Sequence, residues 1–354
     1  MTAEELAPGP AAPAAAEVPA TRGRPRWRRR GMGWRTALLT AFLLVTVAAS
    51  LTVGRYPVGV GAVLHFTALD HVDQTVLTRI RLPRIWCGIL VGAGLAVSGA
   101  GYQTMFRNPL VSPAILGVSA GAGFGGALAL LLGLPYWQLD AMAFVGGLAA
   151  AAFSMVVARA IGRDSIVLLV LAGVVVGSVF AALISVTEYL ANPDDTLPAI
   201  TFWLMGGLGR QQLGGLIAPT VVIAVSLVLL YAVRWPLTVL ASGDEDARTL
   251  GVNTRRTWAT VVVACTLITA TTVSLAGVIG WVGLLVPHAA RAIVGPAFGR
   301  IMLAAALLGA AFVVGVDDVA RAATSVEIPL GILTSLIGAP FFLLVLAKVR
   351  RQWA

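Results

Sequence analysis

Three histidines, two cysteines and sixteen carboxylates are the groups in this 354-residue chain that could move protons, hold metals or attack a bond. His65, His71 and His288 are scattered, and no Ser/His/Asp set or pair of carboxylates stands at a spacing suited to catalysis. His288 follows Pro287, where a lone imidazole fits a structural hydrogen bond better than a proton relay or a metal ligand. Cys87 and Cys265 sit inside apolar runs with neither CxxC spacing nor a nearby histidine, which makes them small hydrophobes. There is no G-x-x-x-x-G-K-[ST] phosphate loop, so ATP-driven work would need hydrolysis in another chain. No catalytic, cofactor-binding or metal-ligating residue is therefore expected. What remains is charge at particular places: Arg81, Arg84 and Arg321, with Asp317 and Asp318 one helical turn before the last, and an acidic run from Asp244 to Asp246 next to Arg248. Glu188, Asp194 and Asp195 read as water-facing.

The elements that carry these charges are apolar. Hydrophobic residues make up 58% of the chain and charged residues 12%, a balance no aqueous fold could hide. They gather into ten runs: Thr36 to Val53, Ile85 to Gln103, Ile115 to Leu134, Leu139 to Ala158, Ile166 to Leu190, Leu213 to Val233, Trp258 to Leu275, Val278 to Val294, Ile301 to Val316, and Leu330 to Val349. Most approach the ~20 residues that cross a hydrocarbon layer, and the eighth and ninth are short enough to be tilted, broken or re-entrant. The expected fold is all-α, a polytopic bundle of about ten transmembrane helices. Glycines within the runs let helix backbones approach closely in lipid. No loop is long enough for a separate folded domain. The longest, Gly54 to Arg84, has room for a short helix.

The net charge of +9 is placed as in a membrane protein rather than a nucleic-acid binder. Arg22, Arg24, Arg26, Arg28, Arg29, Arg30 and Arg35 precede the first run, after an Ala/Pro-rich stretch from Ala3 to Ala20. Residues 1–35 are expected to be a disordered leader and 36–354 the transmembrane domain. With the amino terminus in the cytoplasm and ten spans, both termini are cytoplasmic. Nineteen of the 25 basic residues then fall inside, leaving Arg55, Arg79, Arg81, Arg84, Arg210 and Arg321 outside, as the positive-inside rule favours.

Four stretches sharpen the reading. They are Arg81-Leu-Pro-Arg84; Asn108-Pro-Leu-Val-Ser-Pro113 with Leu116-Gly-Val-Ser-Ala-Gly-Ala122; Gly277-Val-Ile-Gly-Trp-Val-Gly-Leu-Leu-Val-Pro-His288 with Arg291; and Glu327-Ile-Pro-Leu-Gly331 with Gly338-Ala-Pro-Phe-Phe342. From about Thr36 to the end, in the same order, the chain resembles the FecCD or BtuC type of permease, which imports ferric siderophores, haem and cobalamin. The arginine-rich leader lies outside the resemblance.

The resemblance implies a type II ABC importer permease in the bacterial cytoplasmic (inner) membrane. It further implies a second permease copy or a homologous permease, two ABC ATPase subunits that bind ATP and Mg, and a substrate-binding protein. It assigns ATPase coupling to the loop holding Asp244, Glu245, Ala247, Arg248, Leu250 and Gly251. On local pattern alone, a helix start in Ser242 to Asp246 with Gly251 closing it fits a solvated surface helix equally well. It assigns binding-protein docking to Arg81, Arg84 and Arg321. The first two could instead be interfacial anchors, and the third could pair with Asp317 or Asp318. It assigns a cytoplasmic gate to Asn108 and Leu110, and more weakly to Asp164 and Ser165, whose residue types depart from the family pattern. Asn108 as a simple cap after a Pro109 break remains open.

Two rivals stand beside this reading. An ion-coupled secondary carrier would carry ionisable groups deep in its helices, whereas these charges collect at span ends. A membrane-embedded enzyme would need a catalytic constellation. Among cargoes of the resembled family the ferric siderophore is commonest; haem, cobalamin and molybdate are imported by close relatives.

Overall fold

The computed structural model describes residues 32–54, 56, 58–59, 61, 70–162 and 166–350. Apolar runs without interior charge leave the backbone only its own hydrogen bonds in lipid, so they form helices. In chain order these are α1 (Met32–Thr52), α2 (His71–Met105), α3 (Val118–Leu131), α4 (Tyr136–Ile161), α5 (Ile166–Leu190), α6 (Thr196–Leu204), α7 (Ile217–Ala232), α8 (Arg234–Leu240), α9 (Asp244–Thr249), α10 (Thr254–Ala276), α11 (Val282–Val294), α12 (Phe298–Ala322) and α13 (Leu330–Arg350). Among the described residues seven are long and apolar enough to cross a membrane; α3, α11 and the stretch Leu330–Leu344 are shorter apolar helices. Together they account for the ten runs.

Helices α2 and α10 are the buried centre, while α1 and α5 lie at the periphery. Glycine makes the centre tight. A methyl group on Gly92 of α2 would sit 2.1 Å from the Gly309 carbonyl oxygen of α12, and one on Gly99 would sit 1.8 Å from that of Gly283 in α11. Bare backbone is the only surface that fits either contact. Against α10 the packing is polar: Ser98 lies 3.1 Å from Thr269, and the Tyr102 hydroxyl 3.1 Å from that of Thr266. The threonines of α10 also return their hydroxyls to carbonyls one turn back, as Thr269 does to Cys265 at 2.7 Å, so a Thr-rich helix is buried without orphaned hydroxyls.

Three expectations need correction. The ninth span is not short: α12 runs for 25 residues, because Asp317, Asp318 and Arg321 continue the helix instead of ending it. Likewise α2 begins at His71, well before Ile85, passing through a π-helical segment at Val76–Arg81. The eighth span is short as expected, 13 residues in α11, and the third joins it at 14, since a 3-10 turn at Pro113–Leu116 and a left-handed Gly117 (φ 75°) precede α3. Charged residues mark a span end only when they face water or headgroups, and these face one another.

Candidate functional site

At the end of the bundle where α1 and α12 stop and α2 begins, the three arginines singled out for docking come together. Arg84 directs its Nε to Asp317 at 2.9 Å and its two terminal nitrogens to the oxygens of Glu327, both at 3.0 Å. Arg321 brings its Nε to 3.0 Å from the same Asp317, though with its N–H direction off the oxygen, and it pairs with Asp318. It also donates to Ser50 at 3.0 Å and to the Val53 carbonyl at 3.1 Å. Ser50 in turn donates to Asp318 at 2.6 Å. Arg81 donates to the carbonyls of Leu51 and Tyr56.

The result is a continuous chain, Glu327–Arg84–Asp317–Arg321–Asp318–Ser50, that ties α1, α2 and α12 to the segment before α13. Arg81, Arg84 and Arg321 are 2%, 6% and 8% exposed, so their guanidinium groups are held by partners within the chain. The internal pairing of Arg321 left open by the sequence is present with both aspartates. Charge reversal at Arg84 would set a second carboxylate against buried Asp317, so it would disturb the fold as well as any docking.

Beside this network lies a cavity of about 200 Å³ lined by Arg84, Phe202, Trp203, Arg210, Glu327, the glycines Gly206, Gly207 and Gly209, and residues 328–330. Its wall is made by hydrogen bonds between loops: Leu330 N–H to the Gly206 carbonyl at 3.0 Å, Gly331 N–H to Met205 at 2.9 Å, and Gly207 N–H to Ala276 at 2.8 Å. Gly206 (φ 81°) and Gly277 (φ 68°) adopt left-handed backbone there, and a methyl on Gly277 would meet the Trp203 carbonyl oxygen at 2.2 Å. Sequence reasoning missed this cavity. Its one signal is Trp203-Leu-Met-Gly-Gly-Leu-Gly-Arg210, a large indole followed by three glycines and a lone cation.

The opposite end holds the expected coupling segment. Gly243 starts α9, three acidic residues fill its first turn, Leu250 follows it, and Gly251 (φ 76°) turns the chain, which matches the helix start and stop read from the sequence. Ala247 is fully buried against the hydrophobic core, whereas Leu250 is 61% exposed; Glu245 and Arg248 are exposed. Asp244 pairs with Arg107 at 3.5 Å. Arg107 itself has left-handed backbone (φ 52°) and opens the turn that carries Asn108 and Leu110. Asn108 accepts the Leu110 N–H at 2.9 Å, capping its own turn, and Leu110 is exposed. Gln103 anchors that turn by donating to the carbonyls of Val111 at 3.4 Å and Leu284 at 3.2 Å. Asp164 and Ser165 lie outside the described residues. His288 makes no hydrogen bond among the described residues, so the structural bond expected of it is not there.

Residues 42–348 match the FecCD transport family. The chain belongs to the FecCD transport family. It is 36% identical to the molybdate import system permease protein MolB of Haemophilus influenzae, over 88% of this chain and 95% of that one. It is 38% identical to the cobalamin import system permease protein BtuC of Halobacterium salinarum, over 90% and 96%. A solved structure described as an inward-facing conformation of a metal-chelate type ABC transporter superposes with a TM-score of 0.81 at 36% identity, covering 88% of this chain and 98% of that one.

As a FecCD-family chain this is a multi-pass membrane permease subunit of a metal-chelate ABC importer with the type II fold, and ATP hydrolysis resides in a separate subunit. The ion-coupled carrier and the membrane-embedded enzyme are set aside on that ground. The relatives' names span different cargoes, so membership fixes the class of transport and not the molecule carried.

Proposed function

We propose that the chain forms the pathway of a ferric-siderophore importer in the bacterial cytoplasmic membrane, pairing with a second copy of itself, with both termini in the cytoplasm. Haem or cobalamin is the alternative cargo. Two ATPase subunits seat on the α9 end and supply ATP and Mg chemistry; a substrate-binding protein docks on the Arg81–Arg84–Arg321 end. The observation that carries this reading is α9 itself. A six-residue helix is too short to be stable alone, and here its buried side is one alanine while Leu250 projects outward, the form of a segment made to be gripped by another chain.

Docking at the other end works by exchange in this reading. A carboxylate of the binding protein meets Glu327, whose side chain is 40% exposed, and competes with it for Arg84. At the α9 end, the turn of Asn108 and Leu110 narrows the cytoplasmic side, and the Arg107–Asp244 pair joins that turn to the helix the ATPase holds. The reading is tested by reconstituting the chain with its ATPase and binding protein in proteoliposomes and offering radiolabelled ferric siderophore, haem and cobalamin. ATP-dependent uptake of the ferric chelate is expected. Uptake of cobalamin alone would overturn the cargo, and uptake without any ATPase subunit would overturn the mechanism.

A further inference from the structure

Arg107 stands where a glycine is expected. It follows the last turn of α2 at φ 52°, one of two non-glycine residues with positive φ among those described. Its N–H bonds to the Thr104 carbonyl at 3.3 Å, and the next N–H, that of Asn108, reaches the Gln103 carbonyl at 3.1 Å. This is the left-handed helix stop that glycine usually supplies, because a side chain there crowds its own carbonyl. The same chain places Gly133, Gly251, Gly277 and Gly295, all at positive φ, after α3, α9, α10 and α11. A side chain kept at position 107 works against stability, so its use lies in what it reaches.

It reaches α9. The Arg107 guanidinium is 3.5 Å from Asp244, and a methyl on Gly243, the residue before that helix, would stand 3.9 Å from it. Asp244, Glu245 and Asp246 fill the first turn of α9, and among the described residues Arg107 is the one cation paired with any of them. With the two side chains 43% and 39% exposed, the pair adds little stability. The rest of the turn is pinned elsewhere. Gln103, buried in α2, donates to the carbonyls of Val111 and Leu284, and its side-chain oxygen accepts from Arg291 of α11 at 3.4 Å. Both ends of the turn are thus fixed to α2 and α11, while its tip, Asn108 to Leu110, is exposed and Arg107 leads out to α9.

Glycine would hold this turn left-handed whether or not α9 stood beside it. Arginine makes the conformation depend on α9. We propose that Arg107 is a positioning residue with two settings. With Asp244 in reach, the pair helps to keep residue 107 left-handed and the turn as it stands here. When the ATPase draws α9 away, the pair opens, residue 107 relaxes toward the right-handed region, and the tip swings while Gln103 holds the base. Movement of α9 becomes movement of Leu110 through a two-state element. The proposal rests on the reading of α9 as the ATPase seat and adds to it the residue that carries the motion and the backbone change it drives.

The test reads the tip directly. Leu110→Cys permease, assembled with its ATPase and binding protein in nanodiscs, is labelled with a charged maleimide; Cys87 and Cys265 are buried and give little background. Labelling rates of the permease are compared without nucleotide and after trapping with ATP and vanadate, and they are expected to differ. Arg107→Gly in this parent should keep its ATPase and melt no lower, yet shrink the ratio of the two rates by about fivefold, the upper scale of the bias an exposed ion pair can supply. Asp244→Asn should shrink it in the same direction, and Arg107→Lys should retain part of it because the charge survives. An unresponsive parent, an undiminished ratio in Arg107→Gly, or a lower melt in that variant would overturn the proposal, the last because a merely structural arginine would do the same. The seat is read separately: Leu250→Asp that keeps its ATPase defeats the α9 reading, whereas a full response in ATPase-bound Arg107→Gly defeats the link and leaves the seat standing.

Discussion

The two ends of the bundle use the same residue types to opposite effect. At one, two arginines and three carboxylates are linked into a chain, with Arg81 beside them on backbone carbonyls, and the central Asp317 is shared by both guanidinium groups and shut away from water. At the other, a single arginine meets a single aspartate at 3.5 Å with both side chains about two-fifths exposed. Removing one member of a buried pair strands the other in a medium that cannot solvate it, whereas an exposed pair loses little because water replaces the partner. The first end is fixed by its charges, and the second is only tuned by them.

The sharpest way to break the contrast is Asp317→Asn, which leaves Arg84 and Arg321 without their common anion. A loss of about 3–5 kcal/mol is expected, read as a large drop in the melting temperature of purified protein; a melt unchanged from wild type would erase the distinction between the ends. Next is Ala247→Trp. Because Ala247 is buried in the hydrophobic core, overpacking there should cost about 1–3 kcal/mol, so stability and any coupling through α9 should fall together. A stable variant lacking only ATPase association would mean Ala247 faces outward after all. Glu327→Gln comes third: the exposed arm of the network is lost while Asp317 stays, so stability should drop by about 1 kcal/mol and binding-protein association should quicken as Arg84 is released. Slower association in surface-plasmon measurements would argue that Glu327 itself is the docking group. The smallest effect on the fold is Leu250→Asp, expected to melt as wild type and yet lose co-purifying ATPase; retained ATPase would reduce α9 to a solvated surface helix.

Much of this was legible in the chain before any coordinates. All ten apolar runs are helices, and the acidic start and glycine stop of α9 were readable because both signals are local. The pairing of Arg321 with Asp317 and Asp318 could be named as an option because three and four residues separate them on one helix face. The pairing of Arg84 with Asp317 could not, since it joins residues 233 apart. For the same reason spans two and nine were cut short at charges that turn out to be neutralised by each other. The cavity escaped because its walls come from parts far apart in the chain, Arg84 on one side, the turn from Gly206 to Arg210 on another and the segment from Glu327 to Leu330 on a third, and only folding brings them together.

The distance between Arg84 and its carboxylates also has a meaning in time. A chain growing at about 5–20 residues per second needs roughly 10–50 s to reach Asp317 after Arg84 has been made. Through that interval α2, the helix at the centre, carries Arg84 without the aspartate it pairs with in the folded protein. Arg84 gains its buried partner only with α12, and its more exposed one, Glu327, later still.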